Sequence, residues 1–221
     1  MSVLTATVLG MSDNPALPAA PSPAPSPAPT TARRCFGDGD PLYEAYHDTE
    51  WGVAFTDSAD EHELLERLAL EAFQSGLSWI TILRKRENFR AAFAGFDPVA
   101  VAAFDEADVE RLMADAGIVR NRAKIDATIA DARALVAMHE RGERLRDVLE
   151  AYRPAVQCVL ASPAEMPGST PDSKALAKDL KKLGFRFIGP TTAYAAMQAI
   201  GIVDDHLADC LTRLARPGGD E

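Results

Sequence analysis

The sequence predicts an all-α fold, and three observations carry that expectation. Alanine and leucine dominate while β-branched runs stay short, a composition that favours helix over sheet. Helix-start signals recur: Asp40-Pro41, Asp97-Pro98, Asp105-Glu106 and Asn121 each stand before an apolar stretch with helical spacing. No segment alternates apolar and polar residues at period two for long enough to make a convincing strand.

In chain order, residues 1–31 stand apart. The stretch from Pro15 to Ala32 is nearly all Ala, Pro, Ser and Thr, a spacer with nothing to build a core from, and it is expected to be disordered. The folded domain is expected over 32–214, with a flexible tail at 215–221. Asp40-Pro41 opens a helix carrying Leu42, Tyr43, Ala45, Tyr46 and His47, and Trp51-Gly52 ends that unit. Thr56-Asp57-Ser58 precedes a helix from Glu61 to about Ser75, with acidic residues in its first turn as the helix dipole prefers. Gly76 breaks it, and Ser78 caps the next helix through Trp79, Ile82, Leu83, Phe89 and Phe93. Short helices are expected over Val99–Ala103 and Ala107–Asp115, with Gly117 as the stop. Asn121 opens a long amphipathic helix to about Arg141, with Ile125, Ile129, Ala132, Leu135, Val136 and Met138 inward. A short helix over Leu145–Tyr152 and a proline-rich surface connection over 153–172 follow. Ser173 caps Lys174–Leu183, and Gly184 begins a turn through Pro190. Helices over Thr191–Ile200 and Asp205–Leu214 end the domain.

Bulk properties narrow the function. The length of 221 residues allows one core-bearing domain plus a tail, and 47% hydrophobic with 25% charged residues is a globular composition. A net charge of −10 argues against wholesale coating of nucleic acid but leaves room for a local basic patch. No apolar run is long enough to span a bilayer, and the N-terminus lacks the basic and apolar regions of a signal peptide. A cytoplasmic protein without membrane contact is expected, and its three cysteines read as reduced thiols or metal ligands.

Three constellations carry chemistry. The apolar stretch Leu68–Leu83 holds one formal charge, Glu71, with little polar surface to place it on. Either Glu71 reaches the solvent edge of a core helix, or it lines a nearly closed pocket with Trp79 as a wall. Tyr43, Tyr46 and Trp51 join that set, either as core or as a stacking slot for a planar ligand. Cys35, His47, His206 and Cys210 form a two-Cys, two-His group that suits tetrahedral zinc, unless the four are unrelated. His206 and Cys210 are four apart on an expected helix and would share a face. The third is Leu180–Thr192. Gly189 there lets the backbone approach an anion, and the following helix start favours phosphate. Lys174, Lys178, Lys181, Lys182 and Arg186 add basic charge nearby. The alternative is a plain helical hairpin with a solvated lysine face.

Four segments, DPLYEAYHDTEWG (40–52), LEAFQSGLSWITILRKRENFRAAFAGFDP (70–98), DVERLMADAGIVRNRAKIDATIADARA (108–134) and LKKLGFRFIGPTTAYAAMQAIGIVDDH (180–206), closely resemble the DNA-3-methyladenine glycosylase I (TAG) family over residues 33–212. The resemblance implies a helix-hairpin-helix DNA glycosylase fold with one structural zinc, held by Cys35, His47, His206 and Cys210. It implies a base pocket of Tyr46, Trp51, Glu71 and Trp79, with Tyr43 close by. Glu71 would be the catalytic acid-bearing position that reads the adenine edge. The DNA-anchoring hairpin falls on Phe185–Thr191, with Lys182, Arg186, Gly189 and Thr191 as its contacts. The family has a tryptophan two residues after the first zinc cysteine. Here Cys35-Phe36-Gly37-Asp38 lacks it and the segment is one residue shorter, so Phe36 is expected to supply part of that wall. The implied activity is release of 3-methyladenine from duplex DNA by base flipping and hydrolysis, by a monomer near the nucleoid. A non-catalytic binder of alkylated or abasic DNA is the alternative. Asp204-Asp205 reads as support for His206 or as a helix cap rather than as catalytic, and no lysine suggests lyase chemistry.

Overall fold

The computed structural model describes residues 32–54 and 61–215, all within one unit, Thr31–Glu221. The expected disorder of 1–31, the start signal Thr56-Asp57-Ser58 and the tail after 215 lie outside the described residues. Among the described residues the regular structure is helical: α1 (Pro41–Thr49), α2 (Glu61–Gln74), α3 (Trp79–Ala92), α4 (Pro98–Ala102), α5 (Glu106–Ala114), α6 (Arg122–Glu140), α7 (Leu145–Glu150), α8 (Pro171–Leu183), α9 (Pro190–Ala199) and α10 (Leu211–Ala215), with 3-10 turns at Ala94–Phe96 and Pro163–Glu165.

The cap residues account for most starts. Asp40 accepts from the N–H groups of Leu42 and Tyr43, and Asp97 from those of Val99 and Ala100. Asp105 and Asp108 cap each other reciprocally at α5. Such caps satisfy orphan backbone donors and are worth about 1 kcal/mol each. Two starts differ from expectation. Thr170, not Ser173, caps α8; Ser173 is the third residue inside and returns a bond to the Thr170 N–H, closing a capping box. Ser78 stands at the cap of α3, but its hydroxyl pairs with Thr81 Oγ1 at 2.8 Å instead of a backbone N–H.

Helix α2 is the axis of the packing and touches α3, α4, α6, α7 and α9. Its Phe73 meets Phe89 of α3 at 4.7 Å between ring centroids, and Phe93 stacks on Phe96 at 5.4 Å. All four phenylalanines are fully buried. Ala94 and Phe96 take left-handed backbone angles, φ 52° and 57°, to fold the chain back there. That costs roughly 1–2 kcal/mol per residue, and burying the Phe96 ring offsets it.

The largest departure from the sequence-based expectation is the C-terminal end. The helix expected over 205–214 begins only at Leu211. Residues 204–210 are irregular because tertiary partners hold their backbone: the Ala208 N–H donates to Leu160 O at 2.8 Å and the Arg33 N–H to Asp209 O at 3.2 Å. Leu211 N–H then donates to Arg33 O at 3.0 Å, so the first described residues lie against the last. The other differences are small: α7 stops at Glu150, and Val136 is half-buried rather than inward.

Candidate active site and metal cluster

The active-site candidate gathers on α1, α2 and the start of α3. Asp40 and Pro41 fix the start of α1, so Tyr43 and Tyr46 come round on one face, Tyr46 buried and Tyr43 half-buried. Trp79 is the first residue of α3, immediately after the Ser75–Ser78 turn. Its ring lies 5.2 Å from that of Tyr46, tilted by 46°. Phe36 closes another side, 4.9 Å from Tyr43, 5.0 Å from Trp51 and 6.4 Å from Tyr46. Phe36, expected to supply part of the wall, thus stands in the aromatic cluster.

Glu71 is 6% exposed, so the solvent-edge reading of this residue is ruled out. No hydrogen bond to its carboxyl group is found among the described residues. Loss of water pushes its pKa up to about 8, against the opposing pull of the Arg67 charge. The same carboxyl group, after burial, helps raise the Tyr43 and Tyr46 phenols. On the ring that faces Tyr46, the Trp79 indole N–H is buried with no acceptor. A buried acid and a buried donor, both unspent, sit among aromatic rings. Buried polar groups are normally paired, so both groups are open to a further partner. The neighbouring charges are spent on one another: Arg86 grips Glu50 at 2.5 and 2.9 Å, and Arg67 reaches Glu63 at 2.9 Å.

The metal candidates lie behind Trp51. One ligand atom from each of Cys35, His47 and Cys210 falls within 4.8 Å of the others. His206 stands beside them, its ring 4.9 Å from that of His47 and 4.6 Å from that of Trp51, but it is not one of the three that close together. Each histidine is oriented by a carboxylate: Asp48 Oδ1 is 2.8 Å from His47 Nδ1, and Asp204 Oδ1 is 2.6 Å from His206 Nδ1. In each ring Nε2 points away from its carboxylate; His47 Nε2 accepts the Cys35 N–H at 3.1 Å, and a carboxylate on Nδ1 is the arrangement typical of metal-binding imidazoles. His47 Nε2 is 3.5 Å from Cys210 Sγ. Hydrogen bonding from Cys35 holds the Cys210 thiol below its ordinary pKa, and the same interaction together with burial pushes that of Cys35 up. Gly52 makes the approach possible; it has φ +67°, and a Cβ there would lie 3.0 Å from the His206 ring. Asp48 is a functional residue that sequence reasoning misses, although it adjoins His47. Asp204 supports His206 as expected, while Asp205 accepts from Tyr194 Oη at 2.6 Å and Gln198 Nε2 at 2.7 Å.

The third constellation is the α8–α9 turn. Gly184 ends α8 in a left-handed conformation, φ 104°, and Phe185 and Ile188 are buried below. Phe187 is exposed at the apex with φ 60°. Gly189 caps α9 without a side-chain bond, leaving the N-terminal amides there open to an anion, and Thr191 is exposed beside them. A groove of about 960 Å³ runs here, lined by Lys174, Lys178, Lys181, Arg186, Phe187 and Gly189. Lys182 instead gives its ammonium to Asp179 Oδ1 at 2.5 Å, and Tyr152 donates to the other oxygen. The i, i+4, i+7 spacing of the three groove lysines is the signal in the sequence that sets them apart from Lys182.

These features define a class: a helical protein with an acid-bearing aromatic cluster, a Cys/His cluster behind it and a basic helical hairpin on its surface. A family model described as methyladenine glycosylase matches residues 36–213, and the chain belongs to that family. DNA-3-methyladenine glycosylase 1 of Escherichia coli (strain K12) is 53% identical over 175 residues, covering 77% of this chain and 91% of that protein. A Haemophilus influenzae DNA-3-methyladenine glycosylase is 45% identical over 172 residues, covering 76% and 91%. A crystal structure of 3-methyladenine DNA glycosylase I (TAG) superposes with a TM-score of 0.77 at 49% identity, covering 81% of this chain and 98% of that one. A Staphylococcus aureus structure describing 3-methyladenine recognition gives 0.75 at 34% identity, covering 80% and 94%.

Proposed function

We propose that the protein is a DNA glycosylase that removes 3-methyladenine from duplex DNA by flipping the base and hydrolysing its N-glycosidic bond. The observation that carries this reading is the unspent pair in the slot, Glu71 and the Trp79 indole N–H. A planar, nitrogen-rich ring would give both a partner. An adenine alkylated at N3 is cationic while still bonded to the sugar. Tyr46 and Trp79 would hold it by stacking and by cation–π attraction. The Glu71 carboxyl group would bond the adenine edge, and an arriving cation would favour its ionised form.

The charge already on the base makes it a good leaving group. Breaking the C1′–N9 bond returns the electron pair to the ring, which departs neutral, while water adds to C1′ and loses a proton. Asp204 and Asp205 are committed to His206, Tyr194 and Gln198, so neither is assigned to that water. Lys124, the buried lysine, is tied to two backbone carbonyls, which argues against a Schiff-base step. The reaction therefore stops at the abasic site, the start of base excision repair.

The α8–α9 turn is read as the DNA-anchoring helix-hairpin-helix, with Arg186, Gly189, Thr191 and the groove lysines Lys174, Lys178 and Lys181 at the phosphates, while Lys182 is held by Asp179. One zinc per chain is read onto Cys35, His47, His206 and Cys210. Four protein ligands would make it structural, and the paired thiols and carboxylate-held imidazoles fit it. The chain is taken to act as a monomer, in the cytoplasm at the nucleoid. No helix among the described residues is long and apolar enough to cross a membrane. Chromatography of bases released from methylated DNA tests the activity. Free 3-methyladenine is the expected product, and binding without release would make the protein a holding module instead.

A further inference from the structure

Two charged side chains are buried on α6, and neither forms an ion pair among the described residues. Lys124 and Asp131 are seven positions apart, so they share a helix face roughly 10 Å apart along the axis. Each spends its polar head on the backbone of a different loop. Lys124, 6% exposed, donates to Phe73 O at 2.9 Å and Ser75 O at 2.8 Å. Those carbonyls end α2 just after Glu71 and begin the turn that delivers Trp79. Asp131, 1% exposed, accepts the Arg186 N–H at 2.6 Å, inside the α8–α9 turn.

We propose that α6 gauges the distance between the base slot and the DNA-anchoring turn, with Lys124 and Asp131 as the positioning residues for the two. The inference rests on the reading above of which part takes the base and which grips DNA. Burying a lone charge is costly, and an apolar residue would fill either position more cheaply. Desolvation lowers the Lys124 pKa and pushes that of Asp131 up to about 8. What the two groups provide is directional. An ammonium at the end of α2 meets the negative pole of that helix, and a carboxyl oxygen caps one loop amide. The everted base remains covalently joined to the strand that the turn grips. An error in the separation of slot and anchor therefore displaces the glycosidic bond itself, and small displacements are expensive in rate.

The test is a double dissociation. Lys124→Met should slow base release at saturating methylated duplex by on the order of tenfold to a hundredfold and weaken binding of free 3-methyladenine. It should leave affinity for undamaged duplex unchanged. Asp131→Ala should weaken undamaged duplex binding by about tenfold while the saturated release rate and free-base binding hold. Asp131→Asn keeps the accepting oxygen and should behave as the unmodified protein. If both single variants move every readout together, or move none, α6 is only a core helix and the proposal fails. It fails equally if Asn behaves as Ala. Should the variants not fold, hydrogen exchange on the unmodified protein decides. The Arg186 amide should exchange as slowly as a buried group, and an open-loop rate overturns the proposal. Failure of the enzyme reading looks different: the unmodified protein then releases no base, while the binding arms still report on α6.

Discussion

Glu71 concentrates the residue-scale argument. Its carboxyl group has left water without gaining a hydrogen bond among the described residues, and its pKa lies near 8. From the ordinary carboxylate range up to about 8, the folded chain keeps a proton on Glu71 that the unfolded chain has lost. Stability therefore falls as pH rises through that window. Asp131, also pushed up to about 8 by burial, contributes with the same sign. The denaturant midpoint should be higher at pH 5 than at pH 8, and Glu71→Gln should remove part of that difference. An unchanged difference would show Glu71 to be ionised throughout. In base release, the same variant should cost about 100-fold, the scale of removing one electrostatic partner from a water-poor site. The sequence points to Glu71 because it is the one charge in Leu68–Leu83. What it leaves hidden is the Trp79 indole N–H, since whether a donor finds an acceptor is a property of packed neighbours.

The elements show where sequence reasoning holds and where it stops. Helix starts are legible because a cap is a local contract between a side chain and amides two or three residues on, as at Asp40, Asp97 and Asp105. Residues 204–210 defeat it because spacing alone suggests a helix there, while the chain's real partners, Arg33 and Leu160, are far away in sequence. His206 and Cys210 still reach one neighbourhood, by an irregular path. On α8, Lys174, Lys178 and Lys181 line the groove whereas Lys182 is paired with Asp179. Replacing the three groove lysines with glutamine should flatten the salt dependence of DNA binding by about 2–3 units of slope, near one for each phosphate no longer neutralised. Lys182→Gln alone should change it less. An unaltered slope in the triple variant would take the groove out of the DNA interface.

At the scale of the whole molecule, an acidic chain handles a polyanion by keeping its cations apart. Arg34, Arg67, Arg86, Arg90, Arg122 and Arg153 are engaged with carboxylates, while Lys174, Lys178 and Lys181 gather along the groove. The net charge is therefore a poor guide to binding, and the local arrangement is the informative quantity. The Cys/His cluster belongs to this scale too, because its side chains come from both ends of the described chain. Purified protein should carry about one zinc, and a strong chelator should lower the melting temperature. Each kcal/mol of lost stability would shift a domain of this size by about 2–4 °C. A metal-free preparation with an unchanged melting temperature would refute the clasp.

The suture between Arg33 and residues 209–211 has a consequence for how the protein is made. Loops that join such distant positions close late, after local helices have formed. During synthesis the opening segment has no mate until the final residues leave the ribosome. Trp51 lacks the His206 ring against which it rests, and Phe36 sits on a segment not yet fastened. A chain made only as far as residue 208 would thus carry Glu71 and both tyrosines without the segment that fastens Phe36 beside them, and residues 209–211 would bring it.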